Sequence, residues 1–229
     1  MTRPFAVITG ASRGIGAAYA KALAARGYDL LLIARDRTRL ESLASSLTKI
    51  TPAIFIETLD LAESGAAHRL YAMARTHRPA VDLVINNAGF GLFGALTETP
   101  LPRIHAMLQV QVTAVAEIMR LFLPGMVERR SGAIINVSSV AGTFSLPYCA
   151  EYAATKAFVI RLTEAVAEEV RSSGVRLQVC CPATTETDFH VTAGFTPKHR
   201  LGSQSAEEVV AASLRALDRG RVVVPTGKV

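Results

Sequence analysis

The sequence predicts a doubly wound α/β domain, a seven-stranded parallel sheet with helices on both faces, and three observations predict it. Short β-rich runs alternate with helical periods from end to end, those runs are almost continuously apolar, and a glycine-rich turn separates the first strand from the first helix. Continuously apolar strands joined by helices fit a parallel sheet buried on both faces. Right-handed crossovers then place ligands at the carboxyl ends of the strands.

Strands are expected at 5–9, 29–33, 53–58, 82–86, 133–138, 176–181 and 221–224. Helical periodicity fills 15–26, 37–47, 62–76, 102–129, 152–172 and 206–218. Ser205 and Glu208, three residues apart, read as a capping box opening the last helix. The least regular stretch, 183–204, contains Gly194, Pro197 and Gly202 beside Phe189 and Phe195, and reads as a substrate loop. No linker, repeat or low-complexity tract breaks the alternation. With 229 residues, 50% of them hydrophobic and 19% charged, the chain holds one well-buried core, so a single domain over 1–229 is expected.

Apolar runs such as Leu30–Ala34 are strand-sized, short of the roughly 18 residues a membrane span needs. The first strand opens within a few residues of Met1, leaving no room for a secretory signal, so a cytoplasmic protein with no membrane span is expected. Cys149, Cys180 and Cys181 offer no C-x-x-C spacing, and the five histidines show neither H-x-x-H nor H-E-x-x-H. No metal site and no disulfide framework is expected. The net charge is +6, yet no basic stretch is interleaved with aromatics and there is no Trp, which argues against a nucleic-acid partner.

Three constellations carry chemistry. Gly10, Gly14 and Gly16, with Ser12, Arg13 and Ile15 between them, lie directly after strand one and open helix one. Such a turn brings a pyrophosphate to free N–H groups at a helix N-terminus. Tyr152 and Lys156, four apart on a helix, share one face. An ammonium beside a phenol favours the phenolate and is expected to lower its pKa from about 10, giving an acid/base device. At the end of strand two, where NAD-selective sheets offer an acid to the ribose diol, stands Ala34, followed by Arg35. With Arg13, that favours a 2′-phosphate and hence NADP(H).

The spacing G-x-x-x-G-x-G, rather than G-x-G-x-x-G, resembles the short-chain dehydrogenase/reductase family, and the resemblance runs through almost the whole chain. Asp60-Leu61 resembles that family's adenine-contacting pair, Asn86-Asn87-Ala88-Gly89 its N-N-A-G segment, and Tyr152–Lys156 its Y-x-x-x-K. Cys181-Pro182-Ala183 through Thr187 is similar to the segment beside the nicotinamide. The resemblance implies a Rossmann fold whose cofactor site includes Asp60, Leu61, Asn87, Ala88, Gly89, Pro182, Ala183 and Thr187, with Lys156 on the nicotinamide ribose. Ser139, thirteen residues before Tyr152, takes the place of the family's catalytic serine. Ser138 is the rival, but strand alternation sends it to the other face.

The implied reaction interconverts a carbonyl and an alcohol, with Tyr152 delivering the proton and Ser139 holding the substrate oxygen. Phe90, Phe93, Phe144, Leu146, Phe189 and Phe195 suggest an apolar small molecule. Two positions depart from the family pattern. Gln111 stands where an asparagine commonly holds a relay water to the lysine, and Ala183 replaces a glycine. Gln111 also leaves room for a non-catalytic NADPH-binding sensor or scaffold, while an epimerase or dehydratase would need a further acid/base residue. Apolar helices at 102–129 and 152–172, which the family commonly pairs between subunits, imply a homodimer or homotetramer.

Overall fold

The computed structural model describes residues 3–51, 53–186 and 203–227. Its strands are β1 (Phe5–Thr9), β2 (Asp29–Ala34), β3 (Ile54–Thr58), β4 (Leu83–Asn86), β5 (Ala133–Val137), β6 (Arg176–Pro182) and β7 (Val223–Thr226). Its helices are α1 (Gly14–Ala25), α2 (Arg37–Leu47), α3 (Ala66–His77), α4 (Leu101–Leu108), α5 (Ala114–Glu128), α6 (Ala150–Glu169) and α7 (Ala206–Asp218). The strands form one parallel sheet in the order β3-β2-β1-β4-β5-β6-β7. The order reverses between β1 and β4, and the crevice at their carboxyl ends is where such sheets take ligands.

Every residue of β1, β2, β4 and β5 is buried, and alternation along them supplies two cores. Leu31, Ile33, Val84, Ile134 and Val179 face α3, α5 and α6 through Leu70, Ile118, Phe122 and Val159. Leu30, Leu32, Ile85, Ile135 and Cys180 face α1, α2 and α7 through Leu23, Leu40, Val209 and Leu214. The adjacent Cys180 and Cys181 therefore belong to opposite cores, both as free, buried thiols. Truncating one of these leucines to alanine typically costs about 2–5 kcal/mol.

The capping box at α7 forms: the Glu208 N–H donates to Ser205 Oγ at 3.1 Å, and the Ser205 N–H donates to Glu208 Oε2 at 2.8 Å. Elsewhere the boundaries move for identifiable reasons. Helix α3 begins at Ala66 rather than 62, because Asp60 Oδ1 accepts from the Ala62 N–H at 2.9 Å and holds a turn there, with Gly65 then at φ +70°. The single helix expected over 102–129 is broken by a π turn, Gln109–Thr113, between α4 and α5. The whole run Leu101–Glu128 has 28 residues and is apolar enough by length and composition to cross a membrane. Reading strictly apolar runs missed it, because Arg103, Glu117 and Arg120 punctuate it. Here Ile118, Phe122 and Met126 pack in the core.

A buried polar chain fixes α6 on the sheet. Asn86 Nδ2 donates to Asn136 Oδ1 at 2.8 Å, and Asn136 Nδ2 donates to Thr163 Oγ1 at 2.8 Å, joining β4, β5 and α6. Buried groups of this kind specify one arrangement because leaving any of them unpaired is costly.

Candidate active site

The first strand-end turn and the fourth are sewn together. Asn87 Nδ2 donates to the carbonyls of Thr9 and Gly10 at 3.0 and 3.1 Å, while Thr9 Oγ1 accepts from the N–H groups of Asn87 and Ala88 at 3.0 and 3.1 Å. Gly10 has φ +64°, and a Cβ there would lie 2.9 Å from the Ala88 Cα, so both conformation and space exclude a side chain. Gly16 has a different task from the one the sequence suggested. A Cβ on it would stand 2.2 Å from the Gly10 carbonyl oxygen, so it lets α1 press against the turn from beneath and does not line the cleft.

Above this junction lies a cleft of about 990 Å³. It brings together Gly10, Ser12, Arg13, Gly14 and Ile15 from the first turn, Arg35 after β2, and Asp60 and Leu61 after β3. Asn87, Ala88 and Gly89 after β4, Gln111 of the π turn, Ser139, Tyr152, Lys156, Pro182 and Ala183 line it as well. Thr187 lies outside the described residues, as do Phe189 and Phe195. The two ends of the expected substrate loop meet: Glu186 N–H donates to the Gln204 carbonyl at 2.9 Å, and Gln204 N–H donates to the Thr184 carbonyl at 3.1 Å.

Ser139 follows β5. Its Oγ accepts from the Ala141 N–H at 3.1 Å, capping a 3₁₀ turn over Val140–Thr143. That turn seats directly on α6, where a Cβ on Gly142 would stand 2.6 Å from the Lys156 carbonyl carbon. The Ser139 hydroxyl donates to the Pro182 carbonyl at 3.4 Å and lies close enough to Tyr152 to favour its phenolate. Ser138 lines the same cleft rather than the opposite face that strand alternation suggested, but its hydroxyl is taken up by the Lys156 carbonyl at 2.8 Å.

Tyr152 and Lys156 share one face of α6, but their electrostatics reverse the sequence expectation. Burial pushes the Tyr152 phenol well above its usual value, with the Ser139 bond opposing and the Cys149 thiol adding to the rise. Lys156 is 6% exposed, and burial pulls its ammonium down from 10.5 to about 8, with Cys181 opposing. Its Nζ donates to the Val137 carbonyl at 3.0 Å and lies 5.5 Å from the centroid of the Tyr152 ring. The ammonium thus sits over the ring, engaged by the backbone, and desolvation by burial is the largest cause of both shifts.

Gln111 is also placed differently from the relay role. Its amide Nε2 donates to the Phe90 carbonyl at 3.0 Å, and its Oε1 is buried with no partner among the described residues. A Cβ on Gly89 would come within 2.6 Å of that oxygen. The methylene that glutamine adds carries the amide across to the loop after β4.

Sequence reasoning missed several lining residues. Arg39, on the first turn of α2, adds a third cation at the Arg35 end, where it pairs with Asp36 at 3.3 Å. The capping Asp36 three residues earlier was the available signal, since an N-cap fixes which residues face the sheet end. Arg35 itself lies 3.7 Å from Asp60. At the other end Phe90, Phe93, Phe144 and Leu146 line the cleft as expected, joined by Cys149, whose thiol burial pushes up to about 11.

A glycine-bounded cleft at the switch point of a parallel sheet, with a Ser–Tyr–Lys cluster at one end, defines a nucleotide-binding oxidoreductase of the Rossmann type. The short chain dehydrogenase family profile matches residues 4–196, and the chain belongs to the short-chain dehydrogenase/reductase family. It is 30% identical over 219 residues to a very-long-chain 3-oxoacyl-CoA reductase of Mus musculus, covering 93% of this chain and 68% of that protein. A short-chain dehydrogenase from Sphingobium yanoikuyae in complex with NADPH superposes with a TM-score of 0.91 at 33% identity, covering 97% of this chain and 87% of that one. A family member from Burkholderia phymatum in complex with NAD gives 0.88 at 27% identity, covering 97% and 88%.

Proposed function

We propose that this protein is an NADP(H)-dependent reductase/dehydrogenase that interconverts a carbonyl and an alcohol on an apolar small molecule. The observation that carries the proposal is the meeting of Ser139, Tyr152 and Lys156 at the aromatic-lined end of one cleft, with the Lys156 ammonium 5.5 Å from the centroid of the Tyr152 ring. Two hydroxyls at one end of a cleft can both meet a substrate oxygen placed between them.

The nicotinamide cofactor, when bound, supplies or accepts the hydride at the substrate carbon. The chain supplies the rest. The phenol of Tyr152, kept protonated by burial, gives its proton to the carbonyl oxygen, and Ser139 steadies that oxygen by a second hydrogen bond. Lys156 holds the proton that replenishes the phenol and would hold the ribose hydroxyls of the bound cofactor. Alcohol oxidation runs the same transfers in reverse. Phe90, Phe93 and Leu146 exclude water from the reacting end and favour an apolar substrate.

The fit to a phosphorylated dinucleotide rests on the first turn and the end of β2. Gly10 and Gly14 line the cleft without side chains, which lets a pyrophosphate approach the turn's backbone. Arg13, Arg35 and Arg39 surround a place where Ala34 offers no carboxylate to the ribose. The Sphingobium relative carries NADPH and the Burkholderia relative NAD, so the selectivity argument rests on these side chains. Leu101, Leu108 and Phe158, exposed by 66, 41 and 38% on α4 and α6, support pairing of two copies through those helices.

The test is a panel of ketones followed by NADPH absorbance, repeated with Tyr152→Phe. Turnover should fall by about 10²-fold or more, while NADPH affinity stays within a factor of two or so, because the phenol reaches substrate and not the phosphates. A Phe variant with the wild-type rate would overturn the assignment.

A further inference from the structure

The hydrogen bond from Ser139 leads out of the cleft to a buried amide that does not line it. Ser139 Oγ donates to the Pro182 carbonyl, the first residue of a wall that continues through Ala183, Thr184 and Thr185. This wall leaves the sheet at the end of β6. Its pairing with β7 reaches only to Ala183, whose N–H donates to the Thr226 carbonyl at 3.0 Å. Beyond that point the wall is held by Gln204, the residue before the N-cap of α7.

Gln204 is buried behind the wall, outside the cleft lining. Its backbone pairs with Thr185 in a short parallel bridge, formed by its bonds to the Thr184 carbonyl and the Glu186 N–H. The side chain then ties that bridge to the sheet. Nε2 donates to the Thr226 carbonyl at 3.0 Å and to Thr226 Oγ1 at 2.9 Å. The Thr226 carbonyl therefore takes two donors, one from the wall and one from the residue that braces it. Packing is tight there, since a Cβ on Gly227 would stand 3.0 Å from Gln204 Nε2 and 3.1 Å from the Ala183 Cβ. Among the described residues no other side-chain hydrogen bond runs from this bridge to β7.

A buried amide can simply satisfy backbone groups, but this one fixes a wall whose position bears on the reacting end. At 3.4 Å the bond from Ser139 to Pro182 aims the hydroxyl without holding it fast. A wall that moved closer would keep the proton on the Pro182 carbonyl, and one that moved away would leave the hydroxyl unaimed. We propose that Gln204 is a positioning residue for the carbonyl–alcohol reaction: its amide, anchored on Thr226, sets where Pro182–Thr185 stands and so how Ser139 meets the substrate oxygen. This inference rests on the function proposed above.

The test uses the full chain saturated with NADPH and the ketone that the panel finds best turned over. In Gln204→Leu, kcat should fall about tenfold or more, as misplacement by a fraction of an ångström to one ångström implies, while KM stays within about threefold. Calorimetric NADPH affinity and the melting temperature, both close to wild type, show that the variant is folded. Gln204→Glu supplies a comparison within one chain. A neutral carboxyl can donate to the Thr226 carbonyl and a carboxylate cannot, and burial raises that ionisation towards neutral pH. Its kcat should therefore approach wild type in acid and fall as the carboxyl ionises, an inflection that the wild type lacks. Hydrogen exchange reads the anchor without turnover, and the Gln204 and Glu186 N–H groups should exchange about tenfold faster in Gln204→Leu. Unchanged exchange, wild-type kcat in Gln204→Leu, a loss confined to KM or melting temperature, or a Gln204→Glu profile parallel to wild type would overturn this role alone. A wild type inert towards every ketone would overturn the proposed function and this role with it.

Discussion

Replacing Lys156 by Met removes a buried ammonium from beside Tyr152 and should stabilise the protein while disabling it. Burial lowers the amine from 10.5 to about 8, which at about 1.4 kcal/mol per pH unit makes the charged form about 3 kcal/mol less favourable in the fold than in water. Met keeps the volume and the stem but loses the bond to the Val137 carbonyl, which offsets about 1 kcal/mol. A net gain of about 2 kcal/mol at pH 7 corresponds to a melting temperature about 4–8 °C higher in a chain of this size. Because the folded pKa lies below the unfolded one, the unfolded chain binds the extra proton between pH 8 and 10.5. Wild-type stability should therefore rise relative to the variant across that window, and the difference should vanish or reverse above it. Melts of both proteins from pH 6 to 11 by circular dichroism decide it, the difference between the two cancelling the other titrating lysines and tyrosines. A gap that stays constant from pH 7 to 10.5 would refute the reasoning, since it would mean that the amine is not desolvated in the fold. Turnover moves the opposite way. Carbonyl reduction in the wild type should decline as pH rises through about 8, where Lys156 loses its proton, and the Met variant should lack that inflection.

Three further outcomes follow from the same geometry. Ala34→Asp with Arg35→Ala should reverse a native preference for NADPH over NADH, measured by calorimetric titration of each cofactor; equal native affinities would remove the basis of the selectivity argument. Gln111→Leu should raise KM more than it lowers kcat, since it frees the Phe90 loop. If kcat alone falls, with an altered pH profile, the amide serves proton transfer after all. Light scattering at micromolar concentration should show a dimer or tetramer, and Leu101→Lys with Phe158→Lys should shift it towards monomer; a monomeric wild type would contradict pairing through α4 and α6.

Much of the fold was legible because its signals are local. Apolar runs with β-branched residues mark β1, β2, β4 and β5, and the glycine turn before α1 needs only a few neighbouring residues to be recognised. The Tyr152–Lys156 face was legible for the same reason, as four residues on a helix fix a common side. What stayed hidden depends on partners far away in the chain. The π turn at Gln109–Thr113 interrupts a segment whose hydrophobic pattern reads as continuous helix. Gln111 finds the Phe90 carbonyl, 21 residues earlier, and no spacing rule names that partner. The direction of the Tyr152 shift is not legible in the sequence, because proximity to a cation is visible there whereas the depth of burial that sets the shift is a property of the packed sheet.

Reactive and selective parts of the cleft are held by different means. Ser139, Tyr152 and Lys156 sit where backbones nearly touch, at Gly142 against α6 and at Gly10 against Ala88, and any added side chain would force them apart. Such contacts fix geometry to within a few tenths of an ångström, which proton transfer between hydroxyls requires. The aromatic end has no equivalent. Phe144 is 51% exposed, and the loop bearing Phe90 and Phe93 is tied by the Gln111 amide at the Phe90 carbonyl and by the Gly94 N–H donating to the Tyr148 carbonyl at 2.9 Å, while Gln111 Oε1 has no partner among the described residues. Substitutions there change which molecule enters without disturbing the groups that act on it, so a chain can keep the reaction while its substrate changes. The departure at Gln111 falls on that side of the division, because it touches the loop that selects and leaves the Ser139–Tyr152 pair intact.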